Sequence, residues 1–289
     1  MTHIEPCSIK INLNLRVFAR RPDGYHELHT LFWRRPSPEV LTVRSATGEK
    51  SGDELFVYGA EIPGENLVMR VLTGLRAQDA IARAFAPLDI GLYKFLPMGS
   101  GVGAGSGNAA AILKWAQRMG VFLDVKDSVA YGADVAFLAG SGNLAYAEGV
   151  GEKLTVIHEE LELPGLIVFP KWFSSTGRAY SLLDASRKTG GEGITLAEAR
   201  AESRDLLSKL LKGEKAGLLP NDFLPILSSH HLEYATFFSD AESQGALAWG
   251  LCGSGSALFA LFPDAESLFS LQRFLTDADW IEKIWVLGG

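Results

Sequence analysis

The stretch that decides the fold runs from Met98 to Gly120 and reads MGSGVGAGSGN followed by AAAILKWAQRMG. Five glycines lie between Met98 and Asn108, and the alanine-rich segment after them consists of strong helix formers. The preceding residues 88–96, LDIGLYKFL, predict a strand that stops at Pro97. A glycine-rich turn between a strand and a helix collects backbone N–H groups that have no intrahelical partner, and with the helix dipole these attract anions. The segment therefore predicts a phosphate-binding turn.

Two familiar phosphate-binding motifs are absent, and a third stays open. No Gly-Lys pair followed by Ser or Thr occurs in the sequence, which excludes a Walker P-loop. The H-R-D and D-F-G segments of a protein kinase are missing as well. A Rossmann G-x-G-x-x-A pattern can be written on Gly105, Gly107 and Ala110, with Asp124 near the usual distance for a ribose-binding acid. A dinucleotide-binding oxidoreductase therefore remains an alternative.

Length and composition predict a globular protein with two lobes. The chain has 289 residues and a mass of 31.2 kDa, and 47% of its residues are hydrophobic against 21% charged. Such a chain can bury a core and lacks the composition of a disordered protein. Since domains typically run to about 100–200 residues, we expect two of them. The charged piece HEELELPG at residues 158–165 lies at the edge of the second lobe, which predicts an N-terminal lobe at 1–155 and a C-terminal lobe at 156–289.

Charge and cysteine content exclude several classes of partner. A net charge of -7 and a pI near 5.4 give no general attraction to nucleic acid or to an anionic membrane, so an anionic ligand must be held by local donors. No apolar run approaches the roughly 20 residues of a membrane helix, and the N-terminus lacks the features of an export signal. Cys7 and Cys252 form no disulfide framework. We expect a cytoplasmic protein without nucleic-acid or membrane partners.

The remaining sequence predicts strands and then helices. From Ile9 to Val17 apolar residues alternate with polar ones, the period of a strand with one buried face, so that Lys10 and Asn12 project from the same side. Residues 66–78, NLVMRVLTGLRAQ, predict a helix with Asn66 as its N-cap. Strands followed by helices favour the α+β class.

Several segments spread over nearly the whole chain resemble the galactokinase/homoserine kinase/mevalonate kinase superfamily. They are KINLNLRVFARRPDGYHELHTLF (10–32), GENLVMRV (64–71), LPMGSGVGAGSGNAAA (96–111), GADVAF (132–137), AYAEGVGE (145–152), PKWFSSTGRAY (170–180), ND (221–222) and CGSGSALFALF (252–262). The glycine segment is typical of the superfamily as a whole. The DGYHEL, GADV and AEG-GE patterns are narrower and point to one branch, whose members phosphorylate a cytidyl-diphosphate substrate in isoprenoid biosynthesis.

The resemblance implies a two-lobed α+β fold of the small-molecule kinase type, with the active site in the cleft between the lobes. It implies that the glycine segment binds ATP in place of a P-loop and that Mg²⁺ bridges the phosphate oxygens. Phosphoryl transfer depends mainly on positioning and charge stabilisation, so few reactive side chains are needed. The residues that match the family's nucleotide contacts are Pro97, Gly99, Gly101, Gly103, Gly105, Ser106, Gly107 and Asn108.

Two residues match the chemistry of the family. Asp134 matches the catalytic aspartate, which accepts the proton of the substrate hydroxyl, and Lys10 matches the lysine beside it. A nearby ammonium keeps a carboxylate ionised and can stabilise a developing alkoxide. The resemblance therefore implies that Lys10 and Asp134 are the catalytic residues.

Five further residues match the family's substrate contacts. In the family the cytosine is sandwiched by aromatic rings, and each ring contributes about 1–3 kcal/mol by analogy with single-stranded nucleic acid. Tyr25 and His26 match the turn beside the base, and Tyr180 falls where the family has its second stacking ring. Thr176 matches a neighbouring polar contact, and Asn12 matches a residue near the substrate hydroxyls.

The sequence departs from the family pattern at three positions. In the glycine segment Ala104 replaces a glycine and Gly107 replaces a serine, which removes a donor worth about 1 kcal/mol. Arg178 stands where the family pattern is apolar. Two alternatives remain beside the oxidoreductase: another small-molecule kinase of the superfamily, and a relative that binds a nucleotide or metabolite without catalysis. We expect a monomer or a weak homodimer.

Overall fold

The computed structural model describes residues 1–122, 128–187 and 193–287. Asp124, the ribose-binding acid of the Rossmann alternative, lies outside these ranges. The strands are β1 (Thr2–Arg20), β2 (His26–Ser45), β3 (Glu54–Tyr58), β4 (Leu88–Tyr93), β5 (Leu144–Gly149), β6 (Lys153–Ile157), β7 (Gly165–Pro170), β8 (Gly217–Leu218), β9 (Ala248–Leu251), β10 (Leu258–Leu261) and β11 (Ile281–Leu287). The helices are α1 (Leu67–Gln78), α2 (Ala80–Ala84), α3 (Ala104–Arg118), α4 (Ala133–Ala139), α5 (Thr176–Arg187), α6 (Leu196–Leu211), α7 (Leu224–Ser228), α8 (Glu233–Ser243) and α9 (Ala265–Leu275), with a 3₁₀ turn at Val129–Tyr131.

The chain packs into two compact units. The first unit comprises Met1–Lys10, Arg34–Met98 and Gly103–Ser141. The second unit comprises Ile11–Trp33, Gly99–Val102 and Gly142–Gly289. The long strands β1 and β2 contribute residues to both units because they run for 19 and 20 residues. A single lobe boundary at residue 155 stays a prediction, since the packing of residues does not test where an independently folding lobe ends.

The first unit is a small mixed sheet covered by helices. β4 pairs in parallel with β3 and antiparallel with the end of β2, from Val40 to Ser45. An apolar cluster between this sheet and the helices α1 and α3 includes Leu41, Ile90, Leu72 and Ile112, each fully buried. The glycine segment thus follows a strand with an antiparallel neighbour. A Rossmann domain has a mostly parallel sheet at this point, so the fold removes the oxidoreductase alternative.

Two helix starts in the first unit show how the sequence sets local structure. The predicted helix at 66–78 is confirmed as α1, and the Asn66 side chain accepts a hydrogen bond of 2.9 Å from the N–H of Val68 as its N-cap. The helix after the glycine segment was expected from Ala109, but α3 begins at Ala104. That expectation was wrong because it relied on the low helix propensity of glycine, whereas the packing of Gly107 on β1 holds this turn in the helix.

The second unit contains a five-stranded sheet and most of the helices. Its strand order is β11-β7-β10-β9-β8, antiparallel except for the parallel pair β8 and β9. Every residue of β7 is buried, as the apolar run LIVFP predicts. A second pair of strands, β5 and β6, joins β2 antiparallel between Leu28 and Trp33. Strands and helices in these proportions confirm the predicted α+β class.

Among the helices that the structure describes, none is long and apolar enough to cross a membrane.

Lys114 on α3 provides a test of the packing of the first unit. Burial, together with the positive charges of Arg34 and Arg118, lowers the pKa of Lys114 to about 8. We expect Lys114→Met to raise the free energy of unfolding at pH 7 by about 1 kcal/mol, since a charge disfavoured by burial is replaced by an apolar chain. The measurement is denaturant unfolding at pH 7 and above.

The difference between the folded and unfolded pKa values of Lys114 also predicts how stability changes with pH. The folded state loses the Lys114 proton near pH 8 and the unfolded state near 10.5, so the unfolded state binds more protons between these values. Wild-type stability should therefore rise relative to the variant as the pH passes from 8 toward 10.5. Lys153→Met, at an exposed position, is the control and should show no such difference. Equal pH profiles for Lys114→Met and wild type would contradict the account.

Candidate active site

Helix α3 approaches strand β1 so closely that only glycine fits between them. A Cβ atom on Gly107 would lie 1.7 Å from the carbonyl oxygen of Ser8, which no side chain can tolerate without movement of the backbone. The Gly107 N–H donates to the Gly103 carbonyl at 2.9 Å, one helical turn earlier. Gly107 therefore serves the packing of α3 on β1, a role that the sequence comparison with the family pattern missed.

Gly103, four residues before Gly107, faces the two predicted catalytic residues. It caps α3 in the left-handed conformation, with φ 68° and ψ 24°, which favours glycine. A Cβ there would lie 3.3 Å from Asp134 Oδ2 and 3.3 Å from Lys10 Cγ. The close approach at Gly107 thus carries the start of α3 directly beside Lys10 and Asp134.

The structure brings Lys10 and Asp134 together. Lys10 Nζ lies 3.7 Å from Asp134 Oδ2, an ion-pair distance. The Lys10 side chain is 6% exposed and that of Asp134 is 33% exposed, so the lysine is buried and the carboxylate remains accessible. Asp134 lies in the first turn of α4, and Gly132 before that helix has a φ of 135° that turns the chain into it. The pair joins an accessible carboxylate to a buried, fixed cation.

The first turn of α3 offers donors for an anion. The N–H groups of Ala104, Gly105 and Ser106 precede the first intrahelical hydrogen bond, which begins at the Gly107 N–H. No acidic side chain lies in this turn to neutralise the helix dipole. A Cβ added to Gly105 would meet no other atom within 4 Å, so the space outside the turn is open. These features fit a phosphate group, and the Ser106 hydroxyl stands in the same turn.

A buried polar cluster that sequence reasoning missed holds the segment before the glycines. Glu39 is fully buried, and it accepts hydrogen bonds from Lys94 Nζ at 2.7 Å and from Asn108 Nδ2 at 2.8 Å. It also accepts from the backbone N–H groups of Phe95 and Leu96. Asn108, predicted as a nucleotide contact, has both ends of its amide in this cluster, because Lys94 also donates to its Oδ1 at 3.1 Å. The cluster ties the end of β4 to α3 on either side of the glycine segment.

Gly99 and Gly101 pack within the second unit. A Cβ on Gly99 would lie 1.9 Å from the Phe173 ring, and one on Gly101 would lie 1.9 Å from the Cys252 carbonyl oxygen. Both have positive φ, at 66° and 85°. The intervening Ser100 carbonyl accepts from the Ala257 N–H at 3.0 Å. Gly99 is therefore fixed against Phe173 and Gly101 against the CGSGS segment at 252–256, while Pro97 is half-buried at the edge of the turn.

Both cysteines are free and buried. Burial raises the pKa of the Cys7 thiol to about 11, although a hydrogen bond with Asn108 opposes the rise. A thiol that stays protonated at neutral pH is a poor nucleophile, so Cys7 carries none of the chemistry expected here.

Two of the predicted substrate contacts meet in the second unit. The His26 ring stacks on Tyr180 with ring centres 4.9 Å apart and an angle of 26° between the planes. Phe223 packs edge-on against Tyr180 at 4.9 Å. His26 Nε2 lies 2.7 Å from Asp184 Oδ1, and it donates because a carboxylate oxygen only accepts. Asp184 was missed by sequence reasoning, although its spacing of four residues from Tyr180 on α5 would place both on one helix face.

The other three predicted substrate contacts have partners outside this stack. Thr176 Oγ1 and Ser254 Oγ are 3.0 Å apart and share a hydrogen bond. Asn12 is buried, and its amide donates to Thr30 Oγ1 at 2.9 Å. Tyr25 is 65% exposed, and its backbone N–H donates to Asp23. The structure thus pairs Tyr180 with His26 and leaves the Tyr25 ring exposed.

Comparison with known proteins places this geometry in context. The family model described as GHMP kinases C terminal matches residues 195–280. A 4-diphosphocytidyl-2-C-methyl-D-erythritol kinase of Porphyromonas gingivalis is 33% identical over 270 residues, covering 90% of this chain and 92% of that protein. The enzyme of the same name from Bacteroides thetaiotaomicron is 30% identical over 291 residues, with 97% of each chain covered.

Solved structures of kinases also match the fold of this chain. A crystal structure of 4-(cytidine 5'-diphospho)-2C-methyl-D-erythritol kinase matches with a TM-score of 0.77 and 27% identity over 100% of both chains. A homoserine kinase from Cytophaga hutchinsonii matches with a TM-score of 0.69 but only 18% identity, covering 99% of this chain and 94% of that one. The second likeness shows the fold alone. The predicted small-molecule kinase fold is therefore confirmed.

The glycines of α3 make separable predictions for stability. Gly107→Ala should lower the free energy of unfolding by about 1–3 kcal/mol, because its Cβ collides with the Ser8 carbonyl. Gly105→Ala should leave stability unchanged or raise it by up to about 1 kcal/mol, because the added methyl meets open space in a helix. Thermal unfolding of both variants checks this. Equal destabilisation by the two substitutions would show that α3 does not pack on β1 as described.

Proposed function

The chain belongs to the family of 4-diphosphocytidyl-2-C-methyl-D-erythritol kinases, and we propose that it phosphorylates the 2-hydroxyl of that cytidyl-diphosphate substrate with ATP. The product would serve non-mevalonate isoprenoid precursor biosynthesis. Membership of this family makes the chain an ATP-using kinase. The observation that carries the proposal is the Lys10–Asp134 pair beside the left-handed Gly103 at the start of α3.

Asp134 is the group that we assign to the substrate hydroxyl. Its carboxylate is accessible, and Lys10 holds an ammonium 3.7 Å from it. The carboxylate can accept the hydroxyl proton as the substrate oxygen attacks phosphorus. Lys10 has little freedom to move because it is buried, so it can stabilise negative charge on the attacking oxygen without reorganisation.

The nucleotide phosphates would be held by the first turn of α3. The N–H groups of Ala104, Gly105 and Ser106 supply donors, and the open side of Gly105 leaves room for the phosphate chain to approach the backbone. We extend this assignment to Pro97, Gly99 and Gly101, which shape the turn. Bound Mg²⁺ would neutralise charge on the phosphate oxygens. Among the residues that the structure describes, no three His, Cys, Asp or Glu side chains cluster to hold a metal, so the phosphates would supply most of its ligands.

Recognition of cytosine is assigned to the second unit. Tyr180 offers a ring whose orientation is fixed by His26 and Phe223, and His26 is in turn fixed by Asp184. A planar base gains about 1–3 kcal/mol from stacking on such a ring. We assign Thr176, Asn12 and Tyr25 to polar and aromatic contacts with the same substrate. The protein would act in the cytoplasm on a dissolved small molecule, as a monomer or weak homodimer.

The direct test of this function is an assay of ADP release coupled to pyruvate kinase and lactate dehydrogenase. We expect turnover with ATP and 4-diphosphocytidyl-2-C-methyl-D-erythritol, and none with homoserine or mevalonate. Turnover with homoserine or mevalonate would place the activity elsewhere in the superfamily. Absence of turnover with all three, while ATP still binds, would indicate a relative without catalysis.

Asp134→Asn tests the proton acceptor. The amide keeps the shape of the side chain but loses its basicity and charge, so kcat should fall by about 10²–10⁴-fold. The KM for ATP should change little, since the phosphates are held by backbone donors. Asp277→Asn, at an exposed position on the same protein, is the control and should keep wild-type kcat. A wild-type kcat for Asp134→Asn would remove Asp134 from the reaction.

Tyr180→Ala tests the stacking ring. Loss of about 1–3 kcal/mol of stacking should raise the KM for the cytidyl substrate by roughly 5- to 150-fold while the KM for ATP stays the same. Tyr180→Phe keeps the ring and should restore a KM near that of wild type. An unchanged KM in the alanine variant, or equal defects in both variants, would separate Tyr180 from cytosine recognition.

A further inference from the structure

The second unit contains a cavity that takes no part in the proposed kinase reaction. Its volume is about 280 Å³, slightly below the roughly 300–1,000 Å³ of sites for drug-sized ligands. None of the residues assigned to substrate or nucleotide above lines it. The lining residues are Trp172, Phe173, Ser174, Ser175, Arg178, Ala179, Leu182, Leu227, His230, His231 and Tyr234.

The wall of the cavity is preorganised. The Trp172 and His231 rings stack face to face, with centres 4.1 Å apart and planes within 4°. Trp172 Nε1 donates to Tyr234 Oη at 3.1 Å, and that hydroxyl donates to the Ser256 carbonyl at 3.2 Å. Such a chain of contacts fixes the rings before any ligand binds, which lowers the ordering cost of binding.

Charge in the cavity has one sign. Arg178 contributes a guanidinium cation, while burial lowers the pKa of His231 below its ordinary value and so disfavours a second positive charge. The lining contains no acidic residue. Across residues 1–122, 128–187 and 193–287, no carboxylate forms an ion pair with Arg178. In a protein of net charge -7, this local cation and the neighbouring Ser175 hydroxyl favour an anionic group.

An aromatic surface is also available. Phe173 is 67% exposed although it lines the cavity, and its ring is held against Gly99. Leu182 and Leu227 supply an apolar wall. An exposed aromatic ring beside aliphatic side chains suits a flat apolar group. The lining therefore favours a ligand that combines a planar ring with a negative charge.

We propose that this cavity is a second ligand site, which takes a small aryl anion: an aromatic ring bearing a carboxylate or a phosphomonoester. The ring lies against Phe173 and the leucines, and the anionic group lies against Arg178 and Ser175. The lining shares no residue with those assigned to ATP or to the cytidyl substrate, and it meets the nucleotide turn where Phe173 packs against Gly99.

Calorimetric titration of the full chain tests the site. Four probes separate its features: phenyl phosphate and benzoate carry both ring and charge, benzyl alcohol carries the ring alone, and inorganic phosphate carries the charge alone. An excess of a non-hydrolysable ATP analogue keeps the probes away from the glycine turn. We expect phenyl phosphate or benzoate to bind at least tenfold more tightly than either partial probe, since each partial probe lacks either the ring contacts or the hydrogen bonds to the guanidinium.

Two arginine variants test whether the aryl anions bind in this cavity. Arg178→Gln should lower the affinity for the tighter-binding of phenyl phosphate and benzoate by at least tenfold. Arg204 is an exposed arginine on α6 outside the cavity, and Arg204→Gln should leave that affinity within twofold of wild type. Equal affinity in the two variants, tighter binding of inorganic phosphate than of the aryl anions, or no heat from either aryl anion would overturn the proposal. These results do not depend on kinase turnover, so failure here leaves the proposed function standing.

Discussion

The close contact between α3 and β1 is the constraint on which the first unit depends. With the Gly107 Cα placed against the Ser8 carbonyl, the helix lies so close to β1 that a Cβ atom at this position would collide with the strand. Gly103 then caps the helix beside Lys10 and Asp134, the three N–H groups that follow precede the first intrahelical hydrogen bond, and the space beside Gly105 is open. Backbone donors, a buried cation and an accessible carboxylate therefore come together through packing rather than through a long series of side-chain contacts.

Some elements could be predicted from local sequence. The strand that contains Ile9–Val17 and the Asn66 N-cap each follow from a single element, and both are present in the structure. The prediction that this strand has one buried face was wrong, because its polar side is buried as well, at Lys10, Asn12 and Asn14. The start of α3 could not be predicted, because propensity disfavours glycine in a helix and only the approach to β1 explains its presence. Glu39 was also beyond reach: its partner Lys94 lies 55 residues away in sequence, and nothing local signals that pairing.

The candidate site also combines residues that were identified from the sequence with contacts that only the structure shows. No local sequence feature distinguishes Asp134 from an ordinary turn aspartate, or Lys10 from a surface lysine. The resemblance to a family identified both residues as candidates. Their approach to 3.7 Å is a structural finding. In the second unit the stacking of His26 on Tyr180 joins two residues that resemblance had already selected. The Asp184 contact adds the group that orients His26, which a helix spacing of four residues could have suggested.

The most direct measurement of the central claim is a crystal structure of the protein with a non-hydrolysable ATP analogue and the cytidyl-diphosphate substrate. We expect the N–H groups of residues 104–106 to donate hydrogen bonds to phosphate oxygens, and a substrate hydroxyl to lie within about 3.2 Å of the Asp134 carboxylate. Nucleotide density away from this turn, or an Asp134 carboxylate directed away from the bound hydroxyl, would contradict it.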